Sequence, residues 1–444
     1  MISKPKIILI SLGCSKNLVD SEHMLGLLKE RGYPIASGLE EAQIAVLNTC
    51  GFIQSAVEEA IDTILDLSLR KKRGELEKIF VTGCFVQRYG FKLRREIPEI
   101  DGWVGTGEIA RIGDVLEAAE QGSKVFLINR PETISDHDTP RIQTTPFYSA
   151  YLKIAEGCSN QCSYCTIPAL RGPQRSRTLD SLVMEAEGMA ARGVKEVNLI
   201  AQDTTAYGQD LEGNNGLEDL LERLIEIESL RWIRVLYSHP HRISGRLLKL
   251  MEKEEAICPY LDVPFQHINE EVLKAMGRHS ERENPRRLIK RIRAISRPLS
   301  LRTTMMVGFP GETEKIFQEL YDFVEWGAFD HLGTFVFSPE KGTPAARLRH
   351  PVAREAAVER QNRIMALQRE ISEKKNQRLV GQVAPVLIEG KSPETDLLLR
   401  GRSAGMAPDV DSQVLINRGV GTVGEIVPVR ITEAYPYDIV GEII

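Results

Sequence analysis

The sequence predicts an α/β protein in three parts: a parallel α/β domain over residues 4–120, an open, partial (β/α)6 barrel over 144–375, and a small antiparallel β-barrel over 376–444. Three observations carry this. Apolar runs of strand length alternate with stretches of helical spacing at the start of the chain. The alternation resumes after a gap that contains Pro131 and Pro140. The chain then ends on short apolar runs separated by Gly, Pro and Asp.

In the first part, residues 6–12, 44–47, 78–81 and 103–104 read as strands. Helical spacing over 18–31 stops at Gly32, and further helical stretches cover 53–72 and the residues up to 96. Repeated βα units imply a parallel sheet with helices on its faces. Residues 121–143 have a weak helical signal and read as a connector. The second part offers strands at 151–155, 196–200, 232–236, 260–263, 300–306 and 331–337. Six βα units fall short of the eight of a closed barrel, so the barrel is expected to be open. Residues 353–379 form a long charged helix. Arg347, Arg349, Arg354, Arg360, Arg363 and Arg369 make it and its approach basic, a face expected to be solvated, with Glu355 and Glu359 as local partners. Runs at 384–388, 413–416, 426–431 and 439–444 supply the small barrel.

A net charge of −5 creates no global field that would draw the chain to nucleic acid or an anionic membrane. The apolar run at 7–12 is too short to span a bilayer and no cleavage site follows it, so a cytoplasmic protein is expected. Seven cysteines are an odd number for a disulfide framework, which leaves metal binding, redox work or burial.

Cys158, Cys162 and Cys165 have the spacing Cys-x3-Cys-x2-Cys. Three thiolates on one loop can hold three irons of a cubane and leave the fourth iron open. A structural zinc would ask for a fourth Cys or His nearby, and none follows. The loop follows the first strand of the second part, where sites in such folds lie. Cys14, Cys50 and Cys84 are far apart in sequence, but each ends one of the first three strands. Ends of adjacent parallel strands lie only ~5 Å apart, so these thiols are expected to converge as a second trio. Cysteines used as small hydrophobes would instead fall along strands and helix faces. Cys258, beside Pro259, reads as structural.

The loop Glu156-Gly-Cys-Ser-Asn-Gln-Cys-Ser-Tyr-Cys165, with its aromatic Tyr164, resembles the signature of the radical S-adenosylmethionine superfamily. The resemblance implies that the open iron binds the amino and carboxylate groups of S-adenosylmethionine. It implies that one electron then yields a 5′-deoxyadenosyl radical, and that Tyr164 packs near adenine. It also implies cofactor contacts at Gln202 and Asp203 after the second strand, Gln266 after the fourth, and Gly308 and Glu312 after the fifth.

Two cysteine trios and a terminal barrel together resemble the methylthiotransferases, which have an N-terminal cluster domain, a radical S-adenosylmethionine core and a TRAM domain. The segments 11–22, 171–177 and 338–344 look like the RimO branch, while Tyr237-Ser-His-Pro240 is closer to the tRNA-modifying branch. The resemblance implies two 4Fe-4S clusters. It further implies that the one on Cys14, Cys50 and Cys84 holds or supplies sulfur at its open iron, that one S-adenosylmethionine methylates that sulfur, and that a second generates the radical. The implied substrate is the β-carbon of an aspartate in the twelfth small-subunit ribosomal protein, free or on the ribosome. No residue beyond the cluster ligands is assigned a catalytic role.

Residues 381–444 carry five basic and nine acidic side chains. That balance suits a basic ribosomal protein better than tRNA, whose phosphates favour basic surfaces. A tRNA adenosine methylthiotransferase, a non-catalytic iron–sulfur carrier and a zinc-stabilised RNA-binding module remain as alternatives.

Overall fold

The computed structural model describes residues 4–213, 215–278 and 284–444. Strands β1 (Ile7–Ser11), β2 (Ile44–Thr49), β3 (Lys78–Gly83), β4 (Gly102–Val104) and β5 (Val125–Leu127) form a parallel sheet in chain order. Helices α1 (Ser15–Glu30), α2 (Gln54–Lys72), α3 (Cys84–Leu93) and α4 (Ile112–Glu120) cover it. Successive strand residues face opposite sides. Ala45, Leu47, Ile79 and Val81 pack with Ile64 of α2 and Phe85 of α3. Ile44, Val46 and Phe80 pack with Met24 of α1 and Leu116 of α4. Burial on both faces explains why these strands read as unbroken apolar runs. Strand β5 corrects the reading of 121–143 as a plain connector. Its three residues are too few to show a period.

The core is a six-stranded parallel sheet in the order β6, β9, β10, β11, β12, β13. These strands are β6 (Ser149–Lys153), β9 (Glu196–Ile200), β10 (Trp232–Val235), β11 (Ile257–Asp262), β12 (Ser300–Val307) and β13 (His331–Val336). A hairpin of β7 (Ala155–Glu156) and β8 (Arg175–Ser176) interrupts the first crossover and flanks α5 (Ile167–Arg171). Helices α6 (Leu179–Ala191), α7 (Leu217–Leu224), α8 (Gly245–Lys253), α9 (Glu270–Ala275), α10 (Pro285–Arg293) and α11 (Glu314–Gly327) follow the strands. The long α12 (Arg354–Gln377) buries Ile364, Leu367 and Ile371 in the same core. Contrary to the expectation from the sequence, its basic face is not wholly solvated. Arg360 is buried and donates to Glu312 Oε1 at 2.7 Å, and Arg363 donates to Glu314 Oε1 at 2.8 Å.

Strands β14 (Val383–Lys391), β15 (Leu399–Ser403), β16 (Val414–Arg418), β17 (Ile426–Ala434) and β18 (Ile439–Ile443) close a barrel in the order β14, β15, β16, β18, β17. All neighbours are antiparallel except β16 and β18. The sequence reading missed β15, whose arginines break its apolar pattern. Among the described residues no helix is long and apolar enough to cross a membrane.

The small barrel is joined to the core by buried charge. Glu196 on β9 is fully buried and accepts from Arg234 Nη2 at 3.0 Å and Arg402 Nη2 at 2.6 Å. Glu389 accepts from Arg402 Nε at 2.7 Å. Asp411 accepts from Tyr260 Oη at 2.6 Å and Arg302 Nε at 3.2 Å, and Asp409 accepts from Tyr151 Oη at 3.0 Å. Asp411 therefore binds the core, Asp409 is engaged by a core tyrosine, and Glu389 is spent on Arg402 within the barrel, so the acidic count of this segment says less about substrate than the sequence suggests.

Burial alone would push Glu196 up, but Arg402 and Arg234 hold it down at about 2, against an ordinary value of 4.5. A depressed folded value means the stabilisation is present above about 4.5 and is lost as pH falls toward 2. Glu196→Ala leaves two arginines buried without their shared anion. It should lower the unfolding free energy by roughly 3–5 kcal/mol at neutral pH in denaturant titrations. The variant should also lose less stability than the wild type on acidification through that window, because the Glu196 share is gone.

Candidate functional site

The strand ends of the first sheet and of the core line one cavity of about 370 Å³, and Cys14, Cys50, Cys84, Cys158, Cys162 and Cys165 all lie on its wall. Cys14 precedes α1, Cys50 follows β2, and Cys84 opens α3 directly after β3. Two left-handed glycines make this approach possible. Gly13 (φ +96°) passes so close to the second strand end that a Cβ there would lie 2.7 Å from Cys50 Cβ. A Cβ on Gly83 (φ +98°) would collide with Asn48 Oδ1 and Thr49 O. Asn17 then ties the strand ends together. Its Nδ2 donates to Leu12 O and Thr49 O, both at 3.0 Å, and its carbonyl accepts from Asn48 Nδ2 at 2.9 Å.

The second trio sits on a loop pinned at several points. Cys158 N–H donates to Gly172 O at 3.0 Å, and Cys165 N–H to Cys162 O at 3.1 Å. Between them, Ser163 donates to Met276 O at 2.9 Å through its N–H and to Ala275 O at 2.7 Å through its hydroxyl. Arg278 Nη1 lies 3.6 Å from Cys162 Sγ.

Electrostatic influence runs within each trio: Cys14 and Cys50 act on Cys84, and Cys162 and Cys158 act on Cys165. Burial pushes Cys84 and Cys165 up to about 12, and raises Cys50 and Cys158 as well. Cys14 is the exception. Burial would raise it, but Lys16, Arg171 and nearby backbone N–H groups together bring it below the ordinary thiol value. Cys14 is solvent-reached because it faces the open cavity, although protein surrounds it on the other sides. Among the described residues no three His, Cys, Asp or Glu side chains close on one ion. A cubane takes one thiolate per iron, so a trio spread around a cavity wall fits that donor pattern.

Between the trios lies a buried charge cluster. Arg171 Nη1 donates to Glu156 Oε1 at 2.9 Å and to Asp20 Oδ2 at 3.1 Å, while Nη2 also reaches Asn17 Oδ1. Lys153 Nζ donates to Glu156 Oε2 at 2.9 Å and also to Asp20 Oδ1. Asp20 and Asn17 belong to α1, whereas Lys153, Glu156 and Arg171 belong to the core, so these bonds join the domains that carry the two trios.

Of the residues expected to contact a cofactor, Tyr164, Gln202, Asp203 and Gln266 line the same cavity, and Gly308 and Glu312 do not. Gln202 Nε2 donates to Glu156 Oε1 at 3.1 Å, while its Oε1 is buried without a partner. Asp203 accepts from Asn160 Nδ2 at 2.7 Å, Arg242 Nη1 at 2.8 Å and Thr205 Oγ1 at 2.6 Å. Gln266 holds a left-handed backbone (φ 69°) between Thr304 and Met306. Glu312 is instead held by Arg360, and its Oε1 accepts the Gly308 N–H at 3.1 Å, which locks the loop after β12 onto α12. Cys258 lies within β11, buried in the apolar seam beneath the small barrel.

The sequence reading gave no role to Lys16, Asn17, Asp20, Lys153, Arg171, Tyr237 or His239. The signal for part of the set was present. Lys153-Ile-Ala-Glu156 puts two charges into a strand otherwise read as buried, and buried charges must be paired.

The chain matches the model of the uncharacterized protein family UPF0004 over residues 6–105, of the radical SAM superfamily over 152–324 and of the TRAM domain over 380–444. The ribosomal protein uS12 methylthiotransferase RimO of Pelobacter propionicus is 48% identical over 441 residues, which is 99% of this chain and 98% of that one. The RimO of Syntrophotalea carbinolica is 48% identical over 444 residues, 100% of this chain and 98% of its own. That of Geobacter sulfurreducens is 47% identical over 443 residues, 100% and 99%. In fold, the chain is similar to the radical S-adenosylmethionine methyltransferase TsrM from Kitasatospora setae, with a TM-score of 0.57 at 15% identity over 77% of this chain and 74% of that one. Nearly half the residues are identical from end to end with these relatives, so the chain belongs to the RimO family of ribosomal protein uS12 methylthiotransferases, within the radical S-adenosylmethionine superfamily.

Proposed function

We propose that this chain is a cytoplasmic enzyme that transfers a methylthio group to the β-carbon of an aspartate in ribosomal protein uS12, free or within the small subunit. The observation that carries the reading is the single cavity onto which both cysteine trios open. Cys14, Cys50 and Cys84 hold one 4Fe-4S cluster, and Cys158, Cys162 and Cys165 hold the other. When bound, the second supplies the electron for reductive cleavage of S-adenosylmethionine, and the first supplies an iron site for sulfur.

The protein's own residues bind, orient and exclude water. The partnerless Gln202 Oε1 is an acceptor for the amino group of S-adenosylmethionine, and the bond from its amide nitrogen to Glu156 fixes which end of the amide faces the cavity. Tyr164, packed against Met276 and Phe309, offers a ring face to the adenine. Asp203 is already engaged by Arg242, Asn160 and Thr205, so it positions its neighbours. His239 on the cavity wall is held neutral: burial, then the charges of Arg278 and Arg242, bring it down to about 2. The β-methylene hydrogens of an aspartate are not acidic, so substitution at that carbon requires positioning near a hydrogen acceptor more than a protein base.

Protein reconstituted without oxygen should hold about eight iron atoms per chain, and Cys50→Ala and Cys158→Ala should each hold about four. Cys158→Ala should lose both S-adenosylmethionine cleavage and the methylthio mass on uS12. Cys50→Ala should lose the product while still cleaving the cofactor. Methylthiolated adenosine in tRNA, with unmodified uS12, would overturn the substrate assignment. Independently, Arg171→Met strips Asp20 and Glu156 of a shared cation. It should lower the unfolding free energy of the cluster-free protein by roughly 3–5 kcal/mol, read from denaturant curves.

A further inference from the structure

Lys16 is only 7% exposed, yet its side chain reaches the cavity wall. Among the described residues the wall carries two other lysine or arginine side chains, Arg171 and Arg278, and both are engaged. Arg171 is held by Asp20 and Glu156, and Arg278 donates to Pro264 O at 2.7 Å and faces Cys162 Sγ at 3.6 Å. Lys16 has no carboxylate within ion-pair distance among the described residues. Its Nζ lies instead 3.1 Å from the centroid of the Tyr237 ring. That contact covers one side of the ammonium and leaves N–H donors for another acceptor.

The ring is held there by an unusual backbone. Tyr237 has φ 61°, a left-handed conformation that a bulky residue adopts at a cost. It is fixed from both sides: its N–H donates to Asp262 Oδ2 at 3.1 Å, and its carbonyl accepts from Thr204 N–H at 3.0 Å. Asp262 feels the charge of Lys16 at longer range, while its Oδ2 accepts this bond and its Oδ1 lies 3.5 Å from Arg302 Nη1. A strained tyrosine thus steadies a buried cation that has no carboxylate at ion-pair distance among the described residues, with Asp262 and the Cys14 thiol as the acidic groups that feel its charge.

We propose that Lys16 receives the side-chain carboxylate of the substrate aspartate, with Tyr237 as the positioning residue that steadies its ammonium. This rests on the uS12 aspartate reading and deepens it. The target carbon is bonded directly to the carboxyl carbon. A charge-assisted contact of about 2.7–2.9 Å to the carboxylate therefore fixes the reacting carbon one bond away. A buried ammonium with no carboxylate at ion-pair distance gains more from an aspartate carboxylate than from a neutral amide. Lys16 is also one of the groups that lower Cys14, so iron content is measured beside binding to separate charge balance at the first trio from contact with the substrate.

The test uses the reconstituted enzyme with purified uS12 carrying either the target aspartate or asparagine at that position, and binding is measured before any turnover. The wild type should bind the aspartate form about tenfold or more tightly than the asparagine form. K16M should lose that preference while keeping the wild-type iron content, and K16R should retain it. A K16M protein that still prefers aspartate overturns the proposal. So does a K16M iron content that falls by about half, which would assign Lys16 to the first cluster. Equal loss of preference in K16M and K16R overturns it as well, because a charge-based role survives the arginine. Failure of the wild type to modify uS12 at all would remove the underlying function. A wild type that modifies uS12 beside an unchanged K16M removes only the role of Lys16.

Discussion

The site depends on one buried salt-bridge cluster. Asp20, Arg171, Glu156 and Lys153 place two anions against two cations where α1 meets the core. Four charges taken out of water are tolerated only because each finds more than one partner. Glu156 illustrates the balance. Burial alone would push its carboxyl up, but Arg171 and Lys153 hold it well below the usual range. The cluster is neutral as a set, and losing any member leaves an uncompensated charge. Its role is therefore geometric. It fixes the distance between the two cysteine trios, and any chemistry passing between them needs that distance to be constant.

The thiols sit around this cluster under opposed influences. Burial disfavours thiolate at Cys84 and Cys165, so a metal binding there must displace protons. Arg171 pulls the other way on Cys14, Cys50 and Cys84. A guanidinium stays charged at any working pH, so the first trio always faces a fixed positive charge. The same residue thus joins two domains and sets the electrostatics of the first trio.

Charge plays a second structural part at the small barrel. Glu196 gathers Arg234 from β10 and Arg402 from β15, and Asp411 gathers Tyr260 and Arg302. These pairs make the barrel a fixed wall of the core. They also show why net charge over a segment is a poor guide to its partner. A formal count gives buried acids such as Asp411 the same weight as exposed ones, but only exposed charge meets a macromolecule.

Local patterns determined a great deal. Strands buried on both faces produce continuous apolar runs, and helices produce a 3.6-residue period, so the three-part architecture is visible in the order of these signals. Cys158, Cys162 and Cys165 share one loop, so their nearness follows from chain connectivity alone. Cys14, Cys50 and Cys84 required one further step, because strand ends of a parallel sheet are neighbours whatever their separation in sequence. Only the tertiary structure decided the rest. The partnering of Arg171 with Asp20 spans 151 positions, and no local period encodes a pairing across two domains. The same holds for Lys16 over Tyr237, for Glu312 turned toward Arg360, and for acids of the small barrel that face inward. β5 was hidden because three residues are too few for periodicity, and its strand character comes from pairing with β4. Local spacing names the elements and the candidate ligands, while long-range burial decides which charges must find each other.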